Sequence, residues 1–140
     1  MQKSEIIAFI RSNPLFFLAT CEGDQARVRG IMMHSIDEEG NIVFTVGKNK
    51  AVCQQLRSNP KIECCFYANE TQIRLCGELT ESEDQGLKQE IVEARPFMKP
   101  WIEAAGYEVM VVFILARCRA TWWNADNPLA RKRFVNLFDE

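Results

Sequence analysis

Four basic side chains stand where a phosphate group could be held. Arg27 and Arg29 alternate along the β-rich run Arg27-Val28-Arg29-Gly30, and a guanidinium can meet phosphate oxygens two at a time. Lys48 and Lys50 belong to the turn Phe44-Thr45-Val46-Gly47-Lys48-Asn49-Lys50. That turn leaves an apolar strand and opens a helix at about Asn49, which continues Ala51-Val52-Cys53-Gln54-Gln55-Leu56. A helix start collects unpaired N–H groups and the positive end of the dipole, so it favours phosphate. No residue spacing suggests a paired nucleophile and base. The pattern points to capture of a phosphate-bearing ligand that brings its own chemistry.

The elements that must position these residues come from one domain spanning 1–140. A chain of 140 residues, 47% hydrophobic and 26% charged, has the profile of a folded globular unit. A net charge of −2 offers no general basic surface, which argues against nucleic acid as a partner. The basic run Arg131-Lys132-Arg133 reads as a solvated face. The sequence shows no long apolar stretch and no signal-peptide pattern, so no membrane partner and a cytoplasmic location are expected. Six cysteines without CxxC spacing read as reduced and mostly buried. With a single histidine, His34, no metal site is expected.

Helical spacing of Ile6, Phe9 and Ile10 predicts a helix over 3–12, stopped by Asn13-Pro14. Strands follow at Leu15–Cys21 and Ala26–His34 around a Gly23 turn, then at Ile42–Val46 after the Gly40 turn. A helix over about 49–58 gives way to strands at Lys61–Tyr67 and Gln72–Leu79. Ser82-Glu83-Asp84-Gln85 reads as a capping box for a helix to about Ala94, and Pro96 and Pro100 break the chain after it. A long strand from Glu108 through Trp122 and a short C-terminal helical tail at about 124–140 complete the chain. The class is mainly β (α+β): a small antiparallel split β-barrel with flanking helices.

The order and spacing of several segments resemble the FMN-binding split barrels related to pyridoxamine 5′-phosphate oxidase. These are Arg29-Gly30-Ile31-Met32-Met33-His34, Phe44-Thr45, Lys50 with the run to Gln55, Asn59-Pro60, and Thr71-Gln72-Ile73-Arg74-Leu75-Cys76-Gly77. The likeness runs from about residue 5 to 123. It implies that Arg29 and Lys50 meet the FMN phosphate, with Arg27 and Lys48 as further candidates. It also implies that Gly30, Ile31, Phe44 and Thr45 line the cofactor, that Gln55 and Gln72 supply amides to it, and that Trp122 or Trp123 reaches it from a partner subunit. Such barrels are homodimers holding FMN at the interface.

Two departures weigh against oxidation of vitamin B6. The lysine that closes the first strand in true oxidases is His34 here, and the Tyr, Arg and Ser set that grips vitamer phosphate has no counterpart after Gly77. The chain looks closer to the short bacterial nitroimidazole-resistance and related flavoproteins. The expectation is an FMN-dependent oxidoreductase that passes reducing equivalents, with NAD(P)H as a candidate donor, to a small organic acceptor. Alternatives are a non-catalytic electron carrier or flavin store, and a barrel that has exchanged flavin for haem. His34 is a weak catalytic candidate, because a lone histidine at a strand end is more often structural.

Overall fold

Alternation of large and small side chains builds one sheet whose two faces have different fates. The computed structural model describes Met1 to Asp139; Glu140, the last residue of the expected tail, lies outside the described residues. In chain order the elements are α1 (Lys3–Ser12), β1 (Leu15–Glu22), β2 (Gln25–Met32), β3 (Ser35–Ile36), β4 (Ile42–Gly47) and α2 (Ala51–Ser58). Then come β5 (Glu63–Ala68), β6 (Thr71–Ser82), α3 (Gln85–Ala94), α4 (Lys99–Ala105), β7 (Met110–Asn124) and β8 (Phe134–Asn136). The described strands lie in the order β2-β1-β5-β6-β7-β4-β3, with β8 added to β7, and every pairing is antiparallel. This curled sheet with helices against it is the split barrel expected from the sequence.

The long β6–β7 pair is the spine shared by two half-sheets. Its first half, Thr71–Leu75 against Ala120–Asn124, carries β5, β1 and β2 on one side and β8 on the other. Its second half pairs Glu78–Ser82 with Val112–Ala116 and carries β4 and β3. A bulge between the halves sets Arg117 and Cys118 against the single residue Gly77, with Arg117 at φ 52°. Gly77 is required by proximity: a Cβ there would lie 2.5 Å from the Ala116 carbonyl oxygen. Bulges bend and twist a strand, and this one turns a flat ladder into a curled one.

The concave face buries the main core. Phe16, Leu18, Phe44, Phe66, Ile73, Leu75 and Leu115 pack there under Ile6 and Ile10 of α1 and Cys53 and Leu56 of α2. Phe16 stands at its centre, edge-on to Phe44 and stacked on Phe66. The convex face of the second half is covered by α3 and α4, which bury Ile91, Val92, Met98, Met110 and Val112. The convex face of the first half is bare. Cross-strand partners Leu15, Phe17, Val28, Met32, Tyr67, Trp123 and Phe134 all present apolar surface there.

Three local readings need correction. Residues 124–140 were expected to form a helical tail; instead 125–133 is irregular and Phe134–Asn136 pairs with Arg119–Thr121 as a strand. Pro100 does not break the chain but sits in the first turn of α4, where its missing N–H costs nothing. The third helix is capped by Asp84, which accepts from the Leu87 N–H at 3.2 Å, while Ser82 still belongs to β6.

Candidate functional site

A partly buried polar network ties the edge strand β2 to helix α2. Thr20, Arg27 and Arg29 face the concave side, as their register with Leu18 and Thr20 requires. Arg29 donates through Nη1 to Thr20 Oγ1 at 2.7 Å and to the Leu18 carbonyl at 3.3 Å, and through Nη2 to Gln55 Oε1. Thr20 in turn donates to Gln55 Oε1 at 2.6 Å. Gln55 turns its amide nitrogen to Glu22 at 3.0 Å, and Glu22 also receives Arg27 at 2.9 Å. Arg27 and Gln55 together hold the Glu22 carboxyl below the usual carboxylate range.

The distribution of charge here is uneven. Arg27 is neutralised by Glu22, whereas Arg29 has no ion-pair partner among the described residues; its acceptors are a carbonyl, a hydroxyl and an amide. Partial burial and the neighbouring Arg27 lower the Arg29 pKa, with Glu22 opposing. Arginine stays charged in proteins even so. The result is a fixed, half-buried positive charge with spare donors.

Helix α2 brings the second element. Lys50 is its N-cap, and no side chain accepts from its first-turn N–H groups. By contrast α1 carries a capping box and α3 is capped by Asp84. The first turn of α2 also lacks an acidic residue. Gln55, which holds Arg29, lies five residues after Lys50, about 7.5 Å along the axis at 1.5 Å per residue. Arg29 thus meets the second turn of α2, and Lys50 stands at its start. The Lys50 stem lies against Gly47, whose Cβ would come 3.1 Å from Lys50 Cγ.

The other expected residues divide between separate surfaces. Lys48 turns away from Arg29: its side chain borders a cleft with Asn49, Gln54, Arg57 and Glu108, and its N–H donates to the Val109 carbonyl at 2.9 Å. Phe44 is wholly buried and stacks on Phe113, leaving only its backbone to meet a ligand. Ile31 packs on the main core, while Gly30 lies opposite Phe17 on the convex face. Thr45 faces the convex side and donates to the Val111 carbonyl at 2.9 Å. Gln72 also faces the convex side, opposite Tyr67 and Trp123. Trp122 points inward opposite Ile73, and Trp123 outward, its Nε1 donating to the Pro128 carbonyl at 3.1 Å. His34 is engaged with Glu90 of α3 at 2.8 Å. Thr20, which the sequence reading missed, is the third member of the Arg29–Gln55 cluster; its place opposite Arg27 in the hairpin was the available signal.

Three cysteines, Cys53, Cys64 and Cys118, are buried as expected, whereas Cys65 is half-buried and Cys21 and Cys76 are exposed. All six are free, and burial pushes the Cys118 thiol up to about 12 and Cys64 higher still. Thiols so far from ionisation are inert. Among the described residues no group of three or more His, Cys, Asp or Glu is placed to hold a metal, and no helix is long and apolar enough to cross a membrane.

The curled antiparallel sheet with its flanking helices is that of a split barrel. Residues 2–121 match the family model for pyridoxamine 5′-phosphate oxidase, and the chain belongs to that family. No curated protein matches it by sequence. Among solved structures it is similar to a NimC/NimA family protein from Clostridium acetobutylicum, with 24% identity and a TM-score of 0.75, covering 96% of this chain and 92% of that one. It also resembles a pyridoxamine 5′-phosphate oxidase-related, FMN-binding protein from Nostoc punctiforme (16% identity, TM-score 0.62, 95% and 94% covered). A haem-binding protein from Mycobacterium smegmatis shares the fold at 17% identity and a TM-score of 0.69, covering 97% of this chain and 57% of that one.

Proposed function

We propose that this chain is a homodimeric FMN-binding oxidoreductase that passes reducing equivalents from a donor such as NAD(P)H to a small organic acceptor. The observation that carries the proposal is the half-buried Arg29 guanidinium, unneutralised by any carboxylate among the described residues and bonded to the helix whose start is uncapped. A phosphate monoester is the natural complement of that pair of features. The FMN-binding character of the Nostoc relative agrees with it. FMN, when bound, supplies the redox chemistry.

The chain's own residues hold and orient. Arg29 and Lys50 grip the phosphate, and the first N–H groups of α2 complete its shell. Thr20 and Gln55 fix the Arg29 guanidinium so that little side-chain entropy is lost on binding. Lys48 adds long-range attraction only. Gln72 and Trp123 share the bare convex face, so in this reading they are offered to the site of a second subunit, with Trp123 rather than Trp122 reaching across. The apolar convex face supports a second copy covering it. The haem reading gains nothing from the site, because His34 is engaged with Glu90. A cytoplasmic location accords with the six free cysteines.

The purified protein is expected to be yellow, with absorption near ~450 nm, or to quench FMN fluorescence on titration. Arg29→Gln and Lys50→Ala are each expected to weaken FMN binding by about 1.5–3 kcal/mol, the range for hydrogen bonds to charged groups. Lys48→Ala should cost less than half of that. A dissociation constant unchanged in both Arg29→Gln and Lys50→Ala would remove this site from consideration.

A further inference from the structure

A cleft of about 510 Å³ opens on the side of α2 turned away from Arg29, between that helix and the segment leading into β7. Lys48 and Asn49 border it from the turn after β4, Gln54 from α2, and Ala105, Glu108 and Val109 from the opposite rim. The Lys48 N–H, bonded to the Val109 carbonyl at 2.9 Å, ties the two rims together. Arg57 also borders the cleft but is engaged by Glu81, to which it donates through Nε at 2.8 Å and Nη2 at 3.2 Å. Lys48 and Glu108 differ from it. Neither has an ion-pair partner among the described residues, and they do not pair with each other.

We infer that this cleft binds a zwitterion of the α-amino acid class, its carboxylate on Lys48 and its ammonium group on Glu108. Three features select that class. The cleft carries one uncompensated cation and one uncompensated anion, so an ion of either sign alone meets repulsion from one of them. A zwitterion is attracted by both. The adjoining groove repeats the balance with Lys88 and Glu83, and so favours neither sign. The Asn49 and Gln54 amides both donate and accept, and can serve either end of such a ligand. Ala105 and Val109 give the far rim an apolar stretch for an aliphatic side chain.

Lys48 and Glu108 both stand at the surface, so the site buries no unpaired charge in the free protein. Neither group belongs to the phosphate grip assigned above to Arg29 and Lys50. The inference therefore holds whether or not flavin is bound.

Titration of the whole protein with L-leucine, followed by backbone amide chemical shifts, tests the inference. Saturable binding at one site per chain is expected, with the largest shifts at Lys48, Asn49, Glu108 and Val109. Isocaproate, which lacks the ammonium group, and isoamylamine, which lacks the carboxylate, should each bind about tenfold more weakly. Lys48→Glu and Glu108→Lys should each weaken L-leucine by a similar factor. The double variant that exchanges the two charges should recover it. Both residues are exposed, and circular dichroism checks that each variant remains folded. Added FMN should leave the titration unchanged. No saturable binding, equal binding of either single-charge analogue, or a double variant as weak as the single ones would overturn the assignment. Displacement of L-leucine by FMN would overturn it also, by making the cleft part of the flavin site.

Discussion

Under the proposed function, Phe17→Asp is expected to convert the dimer to a monomer and to release FMN, while leaving the monomer folded. Phe17 is about half exposed in the single chain, at the centre of the bare convex face, with Gly30 on one neighbouring strand and Cys65 on the other. Burying a carboxylate there without a partner would cost roughly 3–5 kcal/mol per chain, the penalty for an uncompensated buried charge. A symmetric interface meets the substitution twice. Sedimentation velocity and FMN fluorescence on the same sample check the outcome. A dimer that survives Phe17→Asp would move the interface elsewhere, and a monomer that keeps its FMN would mean that one chain completes the site.

The neighbouring substitution has the opposite character. Phe16→Ala should destabilise the fold by about 3–5 kcal/mol, as expected for a buried phenylalanine truncated in a packed core. Its side chain is wholly buried between Phe44 and Phe66, where collapse is hindered by rings from two other strands. Denaturant unfolding followed by tryptophan fluorescence measures the loss, with the slope of the transition unchanged if only stability has altered. A loss below about 1 kcal/mol would mean that the cavity closes readily. The contrast between residues 16 and 17 follows from the period of two along a strand.

That period explains why so much of the sheet was legible. The 15–22 and 25–32 hairpin, the Ile42–Gly47 strand and the split of Gln72 and Arg74 from Ile73 and Leu75 are local patterns of apolar and polar residues. The tail was not legible, because Phe134–Asn136 becomes a strand only by pairing with residues 13 to 17 positions earlier. Asn127-Pro128 looks like a helix start when that partner is out of view. Helix α4 was missed because a proline reads as a breaker unless its position within the first turn is known.

The site was legible in its parts but not in its grouping. Arg29 and Lys50 were singled out by residue type and by the helix start between them, and the fold does bring both to α2. Lys48 stood in sequence as a further candidate beside Lys50. The turn separates them, since the Lys48 N–H is taken by Val109 and its side chain follows the Gln54 and Arg57 side of the helix. No pattern in the chain announces which way a turn residue points. Thr20 escaped notice because threonine on a strand is ordinary, and only its bonds to Arg29 and Gln55 give it a role.

Arg29 and Trp123 lie on opposite faces of the same sheet, and this has a genetic corollary. In a twofold pair that uses both residues at each site, they must come from different chains. Two inactive variants, one damaged at each residue, would then rescue one another when coexpressed. Every hybrid pair would gather both lesions at one site and keep the other site whole.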